Sequence, residues 1–213
     1  MRPAAVRKPI PRTKKDVVVE FRRETILDAA LRAFARSGYE GTSVDTIAAE
    51  ASIAKGTVYL YFESKAEIYL SAIMHEANKL YAETERRFAG LPTCRQKIEQ
   101  YIRIRLEYAE SHRDFCRIYF SEFGSTIHPA PIQKELRKMY RRQADLLASI
   151  VSGGIAAGEI RWIPVHGAAF AILDVTRGLV EKRLLGWSDA DVETDIQSLA
   201  DLLWSGLHNA ATA

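Results

Sequence analysis

The segment GTSVDTIAAEASIAKGTVYLYFESK, residues 41–65, decides the fold of this 213-residue chain. Apolar residues recur at the spacing of one helical face over Val44–Glu50, which predicts a short helix there. The chain then turns through Ser52 and Ile53, and a second short helix is predicted over 55–60. Two short helices joined by a tight turn are typical of a helix-turn-helix.

The surface of the second short helix is unusual for a solvated helix. It should expose two tyrosines around a glycine and a lysine, with Val58 and Phe62 turned inward. A glycine lets the backbone approach another surface, and threonine and tyrosine hydroxyls can donate to phosphate oxygens. Lys65 lies in the first turn of the next helix, where a cation opposes the helix dipole, so we expect it to face an external anion. The outward set is Lys55, Gly56, Thr57, Tyr59 and Tyr61.

Neither short helix is stable by itself, so both must pack on a longer one. Ile26, Ala29 and Phe34 recur at helical spacing and predict that helix over 17–36. Gly38 is the natural left-handed residue just beyond its end. The sequence therefore predicts a three-helix DNA-binding domain over 17–65.

Helical spacing continues through the rest of the chain and predicts an all-α fold with about nine helices. A fourth helix, capped by Ser64 and Glu67, is predicted over 66–88. Residues 66–213 should form a larger helical bundle domain. Gly153 and Gly154 fall inside one of its helices and should loosen a turn without ending it. The further helices are predicted at about 93–109, 111–123, 132–157, 165–185 and 189–210.

The charge is distributed unevenly along the chain. Residues 1–65 carry 12 Lys or Arg against 8 Asp or Glu, whereas the remainder carries 18 against 19, for a net charge of +3. The positive excess lies where a nucleic-acid contact requires it, although an uneven solvated surface has the same pattern. Residues 1–16 form a basic, proline-containing arm, which either follows DNA phosphates or is a solubilising or vector-derived tail.

The run TSVDTIAAEASIAKGTVYLYFESKAEI and the GYEGT turn before it resemble the N-terminal signature of TetR-family transcriptional regulators over about residues 22–70. The resemblance implies a ligand-responsive DNA-binding regulator, typically a repressor that a small-molecule effector releases from its operator. It implies a phosphate contact for Thr42. It implies further DNA contacts for Lys55, Gly56, Thr57, Tyr59, Tyr61 and Lys65.

Two positions depart from the family pattern in the turn before the recognition helix. Ser52 stands where the family usually has glycine, and Ala54 where it usually has a serine cap. Loss of a side-chain cap costs about 1 kcal/mol. We therefore expect a recognition helix that is less rigid in the free protein.

In the family, the last two helices pair with those of a second subunit across a two-fold axis. The resemblance thus implies a homodimer on a palindromic double-stranded DNA operator, which suits the physics because one recognition helix reads few base pairs. The same apolar stripes also suit an ordinary core within one subunit. The candidate interface residues are Ala168, Ala169, Ile172, Val175, Leu179, Ile196, Leu199, Leu203 and Leu207.

A ligand pocket is predicted in the larger domain, for an apolar or amphipathic effector. Aromatic side chains would line it and charged ones would orient the ligand. Core packing and internal ion pairs are the alternative explanation of these residues. The candidates are Tyr101, Arg105, Tyr108, Phe115, Tyr119, Phe123, Tyr140, Phe170, Asp174 and Arg177.

The sequence lacks the signatures of other classes of protein. No Gly-rich phosphate loop, metal-ligand spacing or nucleophile elbow occurs, so we expect no enzyme activity, cofactor or metal. A helical enzyme, a small-molecule-binding protein without specific DNA binding and a membrane-surface module using the basic arm remain alternatives. Cys94 and Cys116 are expected to be structural thiols in a reducing cytoplasm. No signal peptide or membrane-spanning segment is apparent.

Overall fold

The computed structural model describes residues 13–122 and 130–208. The chain divides into two compact units, residues 1–69 and 70–213. Over the described residues it is all-α, with a single isolated β-bridge between Ile160 and His208. Its nine helices there are α1 (Lys14–Gly41), α2 (Val44–Glu50), α3 (Lys55–Tyr59), α4 (Lys65–Phe88), α5 (Cys94–Ser111), α6 (Arg113–Glu122), α7 (Ala130–Ala156), α8 (Val165–Leu184) and α9 (Val192–Leu207).

The first unit is held together by one apolar face of α1. Ile26 and Phe34 on that face are buried, as are Ile47 of α2 and Val58 of α3. Arg23 on the same helix donates from Nη1 to the Tyr61 carbonyl oxygen at 2.7 Å, and its guanidinium lies 4.3 Å from the Phe62 ring centroid. Since α2 and α3 are too short to be stable alone, their helical conformation depends on this packing.

The first helix is longer than the sequence pattern predicted. It begins at Lys14 rather than at residue 17, because Thr13 and Asp16 form a capping box at its start. It continues to Gly41, but Gly38 breaks its geometry with a φ of +68°, close to where the end was predicted. The predicted arm at 1–16 lies mostly outside the described residues.

The second unit is a bundle in which α5 packs against α7, α8 and α9. The guanidinium of Arg103 on α5 forms two hydrogen bonds to the Glu193 carboxylate of α9, at 2.5 and 2.8 Å. These bonds, with a further one from Gln197, lower the pKa of Glu193 to about 2. The last helix is shorter than the predicted 189–210, since Asp191 accepts from the Thr194 N–H at 2.9 Å and so caps it at Val192.

The glycine pair in α7 does not interrupt the helix, as predicted, but the two glycines differ. A Cβ at Gly154 would lie 2.5 Å from Cys94 Sγ and 2.8 Å from Ile160 Cδ1, whereas a Cβ at Gly153 would meet nothing within 4 Å. Gly154 is therefore required by the close approach of α5 and of the segment after α7. Gly153 carries no such requirement.

Candidate nucleic-acid interface and ligand cavity

The recognition helix α3 has the two-sided character that its sequence predicted. Val58 and Phe62 are buried in the unit, while Tyr59 is 48% exposed. Lys55 and Gly56 are also exposed, and Thr57 and Tyr61 are half-buried. Leu60, which the prediction left out, is 80% exposed and is the most accessible large apolar residue of this surface.

The two departures from the family pattern, at Ser52 and Ala54, affect the geometry of the turn before α3. Ser52 has a φ of +55° and is the only non-glycine residue with a positive φ among the described residues. Ala54 is the N-cap of α3 and makes no side-chain cap hydrogen bond. The left-handed conformation costs a residue with a Cβ about 1–2 kcal/mol, which glycine avoids. The turn is thus strained at one end and uncapped at the other.

Lys55 is the exposed cation at the start of α3, and it has a partner within the unit. Its Nζ donates to Asp45 Oδ2 at 2.7 Å, so α2 and α3 are joined by an ion pair on the surface. This hydrogen bond raises the pKa of Lys55 above its usual value. The lysine is therefore charged, but its charge is partly compensated in the free protein.

One predicted contact needs correction. Thr42 is 2% exposed, and its hydroxyl lies 2.7 Å from the Gly38 carbonyl oxygen and 3.2 Å from that of Ala33, so its side chain closes α1 rather than facing a phosphate. Lys65 was expected to face an external anion. Its Nζ donates to the Tyr39 carbonyl oxygen at 2.8 Å and lies 4.3 Å from the Tyr39 ring centroid. Both partners are neutral, so the DNA contact of Lys65 stays a prediction.

The second unit contains a cavity with about 600 Å³ of empty space, counted to the solvent at its mouth. Seven of the ten predicted pocket residues line it. Phe170 and Asp174 do not: Phe170 lies on the outer side of α8, and Asp174 accepts a hydrogen bond from the Tyr140 hydroxyl at 2.7 Å. Phe123 lies outside the described residues. The seven are Tyr101, Arg105, Tyr108, Phe115, Tyr119, Tyr140 and Arg177.

The sequence pattern missed other lining residues. Tyr81 and Ala77 lie four residues apart on one face of α4, a spacing that could have revealed them. Gln143 carried no such signal, because a lone polar residue in a helix usually faces solvent. The remaining missed residues are Leu80, Cys116, Phe120, Met139, Leu173, Thr176 and Val180.

Polar groups cluster at the buried side of this apolar cavity. The Tyr101 hydroxyl donates to Gln143 Oε1 at 3.3 Å, and Gln143 Nε2 donates to the Tyr119 hydroxyl oxygen at 2.7 Å. Burial raises the pKa of Tyr119, so that hydroxyl stays protonated. Tyr108 donates to Glu76 Oε2 at 2.8 Å behind the wall. Such a cavity, mainly apolar with a few fixed polar groups, is the usual form of a small-molecule site.

The predicted dimer residues divide into two groups. Five of the nine lie in the core of their own subunit, which corrects their assignment to an interface. Helical spacing alone does not show whether an apolar face packs inside its own subunit or against a second one. Val175 is 44% exposed, while Ala168, Leu179 and Leu203 are half-buried. Leu202, which was not predicted, is 69% exposed. The five buried residues are Ala169, Ile172, Ile196, Leu199 and Leu207.

Comparison with known families agrees with this arrangement of a short helix-turn-helix and a cavity-containing bundle. The family described as bacterial regulatory proteins of the tetR family matches residues 26–72. The tetracyclin repressor-like C-terminal domain matches residues 92–181. The chain belongs to the TetR family. It is accordingly a DNA-binding transcriptional regulator with a ligand-binding domain.

Similar TetR-family proteins cover almost the whole chain. The fatty acid metabolism regulator protein of Bacillus subtilis is 25% identical over 86% of this chain and 94% of its own length. The regulator YhgD of the same organism is 23% identical over 85% of this chain and 92% of its own. The crystal structure of FadR from Bacillus subtilis with stearoyl-CoA superposes with a TM-score of 0.79 at 24% identity, covering 87% of this chain and 99% of that one.

Two further observations concern other kinds of site. Among the described residues, no group of three or more His, Cys, Asp or Glu side chains is placed to hold a metal ion. Within the same part of the chain, no helix is long and apolar enough to cross a bilayer.

Proposed function

We propose that this protein is a homodimeric repressor in the cytoplasm that leaves a palindromic operator when an amphipathic small molecule enters its cavity. The cavity of the second unit carries the proposal, because its mainly apolar lining with a few fixed polar groups suits a small organic ligand. The Bacillus subtilis relative is named as a fatty acid metabolism regulator, and the FadR structure contains stearoyl-CoA. Molecules with an acyl chain are therefore the first class of effector to test.

The DNA contacts would come from the outward side of α3. Lys55 and Tyr59 offer a cation and a hydroxyl, and both are exposed. Gly56 supports the same surface, since a Cβ there would meet nothing within 4 Å in its own subunit. A glycine that its own fold does not need suits a backbone that approaches a phosphate closely.

Dimerisation would use the outer faces of α8 and α9. Phe170, Val175 and Leu202 are the exposed large apolar residues of those faces, and they support this arrangement. Light scattering after size exclusion should give the mass of a dimer. Leu202→Glu should shift it toward the monomer, whereas Trp187→Glu, which changes another exposed apolar residue between α8 and α9, should leave the mass unchanged.

Release would be a shift between two populations of the dimer. An effector that binds more tightly to the conformation with poorly spaced recognition helices can lower the DNA affinity by at most the ratio of its affinities for the two conformations. Tyr101, Gln143 and Tyr119 are hydrogen-bonded to each other at the buried wall of the cavity. A ligand that replaces these hydrogen bonds would change the conformation of that wall.

The decisive experiment is a fluorescence-anisotropy titration of a labelled fragment of the protein's own promoter. Binding should be specific against unrelated DNA and should weaken steeply as salt rises, because lysine contacts release counterions. Gly56→Ala should lower the affinity for the fragment while raising the melting temperature, since alanine favours a helix over glycine by about 1 kcal/mol. Equal affinity for unrelated DNA at moderate salt would count against the proposal.

A further inference from the structure

Arg105 on α5 is a buried cation whose hydrogen-bonding capacity is mostly unused. It is 8% exposed and lines the cavity. Nη1 donates to Thr84 Oγ1 at 3.2 Å, and the guanidinium carbon lies 4.5 Å from the Tyr101 ring centroid. Nε and Nη2 are buried and have no hydrogen-bond partner.

The positions of the two unpaired atoms within the guanidinium are informative. Nε and Nη2 form one edge of the planar group, and their two N–H bonds are nearly parallel. That edge matches the two oxygens of a carboxylate, which it can hold with a pair of charge-assisted hydrogen bonds. A single water could not satisfy both directions as well as a bidentate acceptor.

No described acidic side chain takes this role. The lining residues that the structure describes include two arginines, Arg105 and Arg177, and no Asp or Glu. Glu76 lies behind the wall, where Lys79 Nζ and the Tyr108 hydroxyl already donate to it at 2.7 and 2.8 Å. Although burial opposes its charge, those hydrogen bonds hold the pKa of Glu76 below its ordinary value, so it is an anion committed to other partners.

A buried charge without its hydrogen bonds destabilises a fold, and proteins normally pair such groups. Arg105 therefore needs a hydrogen-bond acceptor that the described residues do not provide. Phe115 and Met139 line the same cavity and would surround an apolar group. The Tyr101–Gln143–Tyr119 chain offers hydroxyl groups on the buried side.

We infer that the effector is a monocarboxylic acid with an apolar body, with its carboxylate inside the cavity on Nε and Nη2 of Arg105. This inference deepens the proposed function and rests on it. It distinguishes a free acid from its coenzyme A thioester, because a thioester carbonyl is neutral and offers a single acceptor. The acid enters with its polar end inward.

Calorimetric titration of the full-length protein without DNA tests the inference with decanoate, 1-decanol and decanoyl-CoA. Decanoate should bind at least about 10-fold more tightly than the alcohol, because hydrogen bonds to charged groups contribute most of the difference. Arg105→Met should lower the affinity for decanoate by about 10- to 100-fold and change the affinity for 1-decanol by less than about 3-fold. It should also raise the melting temperature of the free protein, since the unpaired charge is gone.

The matched control is Arg142→Met. The Arg142 guanidinium lies 4.0 Å from the Tyr81 ring centroid, but the side chain is exposed and does not line the cavity. The affinity of the Arg142→Met variant for decanoate should equal that of the wild type. Arg105→Lys should fall between wild type and Arg105→Met, because lysine keeps the charge and loses the two-pronged edge.

Three results would overturn the inference. The first is equal affinity for the acid and the alcohol, or an Arg105→Met variant that folds and binds decanoate normally. The second is binding of decanoyl-CoA alone. The third is that hexanoate, decanoate and hexadecanoate all fail to bind. Since ligand binding is measured without DNA, loss of operator binding would count against the proposed function and leave this result standing.

Discussion

Lys55 Nζ lies 2.7 Å from Asp45 Oδ2, so the first cation of the recognition helix is paired with a carboxylate of the helix before it. A phosphate that approaches Lys55 must compete with this carboxylate, and Asp45 itself repels DNA. The helix-turn-helix thus lowers its own affinity for any phosphate backbone. Sequence-specific contacts gain relative weight from this arrangement.

Asp45→Asn should raise the affinity for the promoter fragment by about 3- to 10-fold at moderate salt, because one repulsive charge is lost and Lys55 is released. The affinity for unrelated DNA should rise by a similar factor, so specificity should not improve. Anisotropy titrations across a salt series measure both. Asp28→Asn makes the same charge change at an exposed position of α1 and is the control; an equal gain there would assign the effect to net charge alone.

Ser52→Gly should stabilise the turn, but only slightly. Glycine removes about 1–2 kcal/mol of left-handed strain and adds about 0.5–1 kcal/mol of backbone entropy loss, which leaves a net gain of roughly 0.5 kcal/mol. Amide hydrogen exchange at Ile53, whose N–H donates to the Ala48 carbonyl oxygen at 3.0 Å, should slow accordingly. Gly38→Ala, at a φ of +68° with open space around it, should change stability in the opposite direction. Faster exchange in Ser52→Gly would contradict the strain argument.

Gly154→Ala should destabilise the second unit by about 1–3 kcal/mol, because its Cβ would collide with Cys94 and Ile160 in a packed core. The neighbouring Gly153→Ala should stabilise it by up to about 1 kcal/mol, since that site is open and alanine favours a helix. Thermal melting followed by circular dichroism should resolve the two, at roughly 2–4 °C per kcal/mol for a chain of this size. Melting shifts of the same sign would refute the distinction.

Cys94 and Cys116 should both resist a thiol reagent in the native protein at pH 8. Burial raises the pKa of each thiol, that of Cys116 to about 12, so almost no thiolate is present. Because the folded state binds the thiol proton more tightly than the unfolded state, the stabilisation from the neutral thiol of Cys116 is fully present below pH 9, the ordinary thiol pKa. It is lost as the pH rises toward 12. Absorbance of the released chromophore should count no thiols in buffer and two in urea. One fast thiol in buffer would contradict the burial.

Local sequence patterns were sufficient for the elements of the fold. The bounds of α2 were predicted to the residue, and α7 runs through its two glycines as expected. Gly38 adopts a positive φ of +68°, which its position near a helix end implied. These features depend on residues within a few positions of each other, and helical spacing, caps and glycines report directly on such neighbours.

The hydrogen-bond partners and the burial of individual side chains could be assigned only from the tertiary structure. Thr42 and Lys65 lie in exposed-looking sequence, yet backbone carbonyls of Ala33 and Tyr39, nine and twenty-six residues away, accept their hydrogen bonds. Aromatic enrichment found five cavity residues, and the charged candidates added two more. Phe170 was wrongly placed inside the cavity, because the spacing of apolar residues along α8 does not distinguish its inward face from its outward face.

The sequence by itself determined an all-α regulator with a helix-turn-helix over residues 41–65, because that segment specifies two short helices, a turn and an outward set of candidate DNA-binding side chains. Only the tertiary structure decided which charges are free. Lys55 is paired with Asp45, whereas Arg105 is buried with one guanidinium edge unsatisfied. The physical reason is that pairing depends on distances between helices, and those distances are set by packing rather than by any local pattern.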